Sequence, residues 1–240
     1  MQPIAENKMG VKPIPSLVLS MSFPIMLSML VQALYNVVDS LYVSHYSQDA
    51  LTALTLAFPL QNLLIAVSVG TSIGINSLIS RKLGAKDTKA ANKAAGNGII
   101  LSLLSWLLFA IIGLLFTRRF IGFFTTDAEL LRMGHHYSAI VLFFSLGVFI
   151  DITCERILQS TGDTVRPMII QMTGAIINII LDPILIFGLL GAPRMGVVGA
   201  AIATVFAQHV SAAMAVYYVR KNKEITIARE DLKLEWKTVK

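Results

Sequence analysis

Long apolar runs decide what this chain can be. A membrane span needs about 20 apolar residues at roughly 1.5 Å rise each. Six such stretches follow one another, at about 17–44, 51–80, 94–117, 133–156, 168–190 and 196–219. Only 14% of the 240 residues are charged, against about 25% in average soluble chains, and those charges gather between the runs. The pattern predicts an all-α polytopic membrane protein with six transmembrane helices in the lipid bilayer. The first two runs exceed one bilayer crossing and need tilt or bends; Pro24 and Pro59 offer sites for kinks.

Lys and Arg set the expected orientation. With both termini in the cytoplasm, all but four of the 20 Lys and Arg fall in cytoplasmic segments. The exceptions are Arg118, Arg119, Arg132 and Arg194. Three of them share one loop with Asp127 and Glu129, which reads as a structured outer loop. The expected organisation is a cytoplasmic N-terminal segment over 1–16, a transmembrane unit over 17–219 and a cytoplasmic linker over 220–240. The tail "EITIAREDLKLEWKTVK" is charged and amphipathic, as a surface helix or linker would be. The net charge of +6 follows this topology, so no nucleic-acid partner is expected. The start "MQPIAENKMGVKPIPS" lacks a basic segment leading into a short apolar core, so the first run reads as a retained span and not a signal peptide. The single cysteine, Cys154, excludes an internal disulfide and reads as an inert packing residue. No CxxC, His-rich spacing, GxSxG, phosphate-binding loop or HExxH occurs. Neither an enzyme nor a cofactor is expected.

Ionisable groups deep in the spans are few: Asp39, Asp151, Glu155, Asp182 and His209. A charge at the bilayer centre costs about 2.5–3.5 kcal/mol on insertion scales, so such residues usually face an internal cavity and carry function. Counting at 1.5 Å per residue puts Asp39 roughly 7 Å from the outer end of span 1. Asp182 on span 5 and Thr204 on span 6 both lie roughly 12 Å from that side. Asn178 is one turn deeper than Asp182, on the same helix face, and Tyr35 one turn deeper than Asp39. Two carboxylates, an amide, a hydroxyl and a phenol make a hard, oxygen-rich set. It suits Na⁺ or a proton and not a soft metal. Taken singly, Asn178, Thr204 and Tyr35 read equally well as ordinary interhelical hydrogen-bond partners. Asp151 and Glu155 are spaced i, i+4 nearer the cytoplasmic end, and Glu155 adjoins Arg156, so a local ion pair is a rival reading. His209 reads as a packing histidine; His135 and His136 look interfacial. "GTSIG" spaces Gly70 and Gly74 for close helix approach, and "GVVGAAIAT" (196–204) likewise packs small residues against a neighbour. "STGDTVRP" (160–167) is a turn.

Several stretches then stand in a telling order: Pro24, "LYNVVDSLYVS" around Asp39, "SRKLGAKDTKAANKA", "ERILQSTGDTVRPM", "NIILDP" and "GVVGAAIAT". Together they resemble the N-terminal half of a MATE (multidrug and toxic compound extrusion) transporter over nearly all of 15–235. "ERILQSTGD" further resembles the bacterial branch that includes small-molecule drug exporters. The resemblance implies two six-helix lobes around a central cavity in a bacterial plasma membrane. It implies alternating access, driven by Na⁺ or H⁺, that exports lipophilic and cationic drugs and toxic organic compounds. The family's N-lobe cation site maps onto Tyr35, Asp39, Asn178, Asp182 and Thr204. Pro24 matches a span-1 proline that bends during transport, and Glu155 falls where a polar residue lines the lobe cavity. Family members have about twelve spans, and the second lobe is absent here. Two rival readings follow: a truncated or split half that transports only with a partner, and a lipid-linked sugar flippase of the wider superfamily. A flippase would be expected to show a cationic cavity, whereas these spans hold acids and no buried arginine.

Overall fold

Capping residues delimit the apolar runs. The computed structural model describes residues 8–232 and Leu234. A short α1 (Lys8–Val11) precedes α2 (Ile14–Tyr46), which opens with proline in its first turn, where no intrahelical N–H is needed. Ser47 ends α2 and caps α3 (Gln48–Gly84) by accepting the Asp49 amide at 3.1 Å. Asp87 caps α4 (Thr88–Leu115) through the Ala90 amide at 3.1 Å. After α5 (Thr117–Gly122), Asp127 caps α6 (Ala128–Phe143) by accepting two amides, from Glu129 and Leu130. That loop is structured, as expected from its charges. Next come α7 (Leu146–Ser160), α8 (Val165–Phe187) and α9 (Val197–Arg220). Gly188, in the left-handed conformation at φ 78°, stops α8. No strand occurs among the described residues.

Among the described residues, five helices are long and apolar enough to cross a membrane, and α6 with α7, bent by 47° at their junction, has the length and hydropathy of a sixth. The fourth run is therefore a bent pair of helices and not the single helix expected over 133–156. At the break the buried Ser145 donates its hydroxyl to the Leu142 carbonyl at 2.7 Å, diverting an acceptor that an unbroken helix would use internally. In contrast, α2 and α3 run as continuous helices through Pro24 and Pro59. With six crossings, the first and last ends of the bundle lie on one side, called here the terminal side.

Packing puts α8 between α2 and α9, with α9 also against α7 and α6, and α3 against α4, α6 and α7. Small residues let backbones meet. A side chain at Gly199 would strike the Leu185 carbonyl of α8, its Cβ 2.5 Å from that oxygen. Gly196, at φ 55°, backs onto the ring of Tyr46. The "GVVGAAIAT" expectation is met. Gly70 and Gly74 behave otherwise: both are exposed, and nothing lies within 4 Å of a Cβ at either. Among the described residues neither glycine is covered by a neighbouring helix. A face of α2 bearing Phe23, Met26, Leu30, Leu34, Val37 and Leu41 is also exposed, each residue by more than half.

The segment after α9 is pinned, not a surface helix, as far as it is described. Ile225 is 1% exposed within a core with Ile79, Ala91 and Ile170, and the Thr226 amide donates to Asn92 Oδ1 at 3.1 Å. The remainder of the predicted N-terminal segment and tail (1–7, 233 and 235–240) lies outside the described residues.

Candidate cation site

α2, α8 and α9 bring the expected oxygen set together on the side opposite the terminal side. Asn178 and Asp182 occupy one face of α8, one turn apart, and both are buried. Asn178 Nδ2 donates to Asp182 Oδ1 at 3.3 Å and to Thr204 Oγ1 of α9 at 3.4 Å. A single amide thereby ties two helices. The carboxyl groups of Asp39 and Asp182 are close enough to act on each other's charge. The Tyr35 phenol is close enough to feel both charges.

Hydrogen-bond accounting decides what this arrangement can do. Asp39 Oδ1, Asp182 Oδ2 and Asn178 Oδ1 are buried and have no hydrogen-bond partner. All three are acceptors. Buried acceptors without donors are unfavourable, and charged ones more so. A proton shared between the two carboxyls, or a small cation among the oxygens, answers that deficit. Only two carboxylates converge, and no group of three or more His, Cys, Asp or Glu able to hold a metal occurs among the described residues. A hard monovalent ion or a proton therefore fits this donor set better than a transition metal.

Two residues that the sequence did not single out extend the site. Tyr137 of α6 is 3% exposed and lies near enough to Asp39, Tyr35 and Asp182 to sense their charge. Its hydroxyl accepts from Gln61 Nε2 of α3 at 3.1 Å. The remaining candidates stand elsewhere. Pro24 is buried in α2, well toward the terminal side from Asp39. Glu155 is 2% exposed and takes a hydrogen bond from Gln171 at 2.9 Å, away from the cation set. No ion pair joins it to Arg156 among the described residues; Arg156 donates to Gln159 at 2.6 Å instead. The Arg156 Nε is buried without a partner, yet the residue is only partly buried, and no arginine is fully buried among the described residues, as expected. His209 Nδ1 bonds the Val205 carbonyl at 2.8 Å, as a packing histidine does. Cys154 is buried and free.

Comparison with known proteins identifies the family and the fold. The MatE family model matches residues 24–184. YoeA, a probable multidrug resistance protein of Bacillus subtilis, is 30% identical over 213 residues, covering 87% of this chain and 46% of its own length. An FAD transporter of Shewanella oneidensis is 27% identical, covering 85% and 45%. Among solved structures, an outward-facing multidrug resistance MATE family transporter of the MOP superfamily superposes with a TM-score of 0.87 at 28% identity. That match covers all of this chain and 52% of the other. The chain spans about half the length of the curated relatives it matches.

Proposed function

The chain belongs to the MatE family, and on that premise we propose that it forms one lobe of a cation-coupled exporter. Members of this family are transporters, not enzymes. The lobe would work with a second six-helix lobe across the exposed face of α2, both in a bacterial plasma membrane with the terminal side in the cytoplasm. Asp39 and Asp182 bind Na⁺ or a proton, with Asn178, Thr204 and Tyr35 completing the site. The observation that carries this reading is the set of three buried, unpartnered acceptor oxygens on Asp39, Asn178 and Asp182.

The mechanism follows from where those oxygens sit. They belong to α2 and α8, and α9 is tied in through Thr204. Filling the site removes repulsion between the carboxylates and lets α2 close on α8. Emptying it favours separation. Pro24 gives α2 a point at which its inner half can bend. If cargo and cation prefer opposite arrangements of α2, each weakens the other's binding by the same factor. The cargo class is lipophilic and cationic drugs and toxic organic compounds, and Glu155 adds negative charge on the terminal side that attracts cations. The acids within the spans outnumber the partly buried arginines, Arg156 and Arg166, which disfavours a flippase for anionic lipid-linked sugars.

The test is dye efflux from vesicles with imposed Na⁺ or pH gradients, using this lobe joined to a second family lobe. Asp39→Asn and Asp182→Asn should each abolish gradient-driven efflux. Whichever gradient drives the parent protein identifies the ion. Unchanged efflux in both variants removes the site assignment.

A further inference from the structure

A second polar cluster lies on the terminal side, around Gln171, about 16 Å along α8 from Asp182 at 1.5 Å per residue. Asp151 and Glu155 stand one turn apart on α7 and act on each other's charge. Glu155 is 2% exposed, and its Oε2 accepts from Gln171 Nε2 at 2.9 Å. Its other oxygen, Glu155 Oε1, is buried with no partner, and so are Asp151 Oδ1 and Gln171 Oε1. Every unpartnered oxygen in this list is an acceptor.

Charge counting selects the ligand. The two carboxylates, when ionised, carry two negative charges. Arg156 is near enough to act on Glu155 and supplies one positive charge. One monovalent cation closes the balance. A lone shared proton satisfies at most two of the three acceptors. Calcium takes six to eight oxygens and magnesium keeps several of its own waters. Oxygen-only donors disfavour soft metals. We propose that Asp151, Glu155 and Gln171 form a second site for one small monovalent cation of the Na⁺ class, separate from the Asp39–Asp182 site. Two stations at different depths would give an entering ion a place to go once the first site opens toward the terminal side.

The experiment is equilibrium binding of ²²Na⁺ to the full chain in lipid nanodiscs. In the Asp39→Asn/Asp182→Asn chain, Na⁺ binding should persist, and adding Glu155→Gln should abolish it. Asp151→Asn in the same background should weaken it at least about tenfold, the scale of a lost ligand or supporting bond. Gln171→Leu, with unchanged elution and melting, serves where Glu155→Gln fails to fold and should weaken binding likewise. No Na⁺ binding in the Asp39→Asn/Asp182→Asn chain overturns the proposal. So does binding that survives both Glu155→Gln and Gln171→Leu. The first site is scored independently by the gradient-driven efflux of Asp182→Asn, and where a Na⁺ gradient drives the parent protein Asp182→Asn alone removes one bound Na⁺ while the second remains.

Discussion

Asn178 has two jobs that can be separated by measurement. Its amide donates to Asp182 and to Thr204, while its own Oδ1 stays without a donor. Interhelical hydrogen bonds in membranes average only about 0.6 kcal/mol, so the structural part is small. The ligand part is larger: Asn178→Ala removes one oxygen and frees two others to turn away. We expect this variant to melt close to the parent protein while its cation affinity falls about 10–100-fold. The checks, on the same preparation, are thermal unfolding and binding of the ion whose gradient drives the parent protein: ²²Na⁺ binding for Na⁺, proton uptake on pH titration for H⁺. A lower melting point with unchanged affinity would make Asn178 a packing residue. Asp39, Asn178, Asp182 and Thr204 are legible in the sequence because a helix converts residue number into depth, and depth alone groups them. Tyr137 and Gln61 are not legible that way. Their hydrogen bond spans 76 positions of sequence between α3 and α6, and only the packed bundle brings them to the carboxylates.

Helix contacts in this lobe rest on backbone proximity and on a few buried hydroxyls. Thr153 of α7 is held between Ser72 of α3 at 3.0 Å and Ser102 of α4 at 2.7 Å, so one threonine pins three helices. On the other flank, α9 meets α8 at Gly199, where backbone carbonyl and glycine are in direct contact. A carbonyl fixed in a helix cannot step aside as a flexible side chain can. Gly199→Val should therefore separate α8 from α9, at a cost of at least about 1–3 kcal/mol. It should also loosen the Asn178–Thr204 link, since Thr204 lies little more than a turn along α9. Lower melting together with weaker Na⁺ binding is the expected result; unchanged melting would mean that the two helices do not approach this closely. The same small-residue pattern reads differently at Gly70 and Gly74. Their spacing announces a close approach, yet they face outward from the lobe. Spacing reports that a face is smooth and says nothing of which neighbour covers it. The break between α6 and α7 is equally hidden from pattern reading, for no proline marks it and the apolar run continues through it. A serine hydroxyl diverting one carbonyl is too local a signal to separate from the many serines that leave helices intact.

Across the whole lobe, two surfaces argue for one orientation. The terminal side carries Arg81, Lys82, Lys86 and Lys89 in and beside the α3–α4 turn and Arg220, Lys221 and Lys223 after α9. The opposite side carries α5 and its loop, where Phe123 is 85% exposed and Phe124 56%. Aromatic rings at a span end sit well among lipid headgroups, and basic residues are retained on the cytoplasmic side during insertion. The docked segment after α9 strengthens this. With Ile225 buried and Thr226 bonded to Asn92, the basic residues around it are held against the lobe instead of trailing from it. Cysteine labelling reads the outcome directly, since the native Cys154 is 1% exposed and hidden from bulky thiol reagents. In a Cys154→Ser background, Phe123→Cys should react with a membrane-impermeant maleimide in intact cells. Lys223→Cys should react only after the membrane is opened. The reverse pattern would invert the lobe. The oxygens of Asp39 and Asp182 would then lie nearer the cytoplasm, and an inward ion gradient would meet the Asp151–Glu155 cluster first.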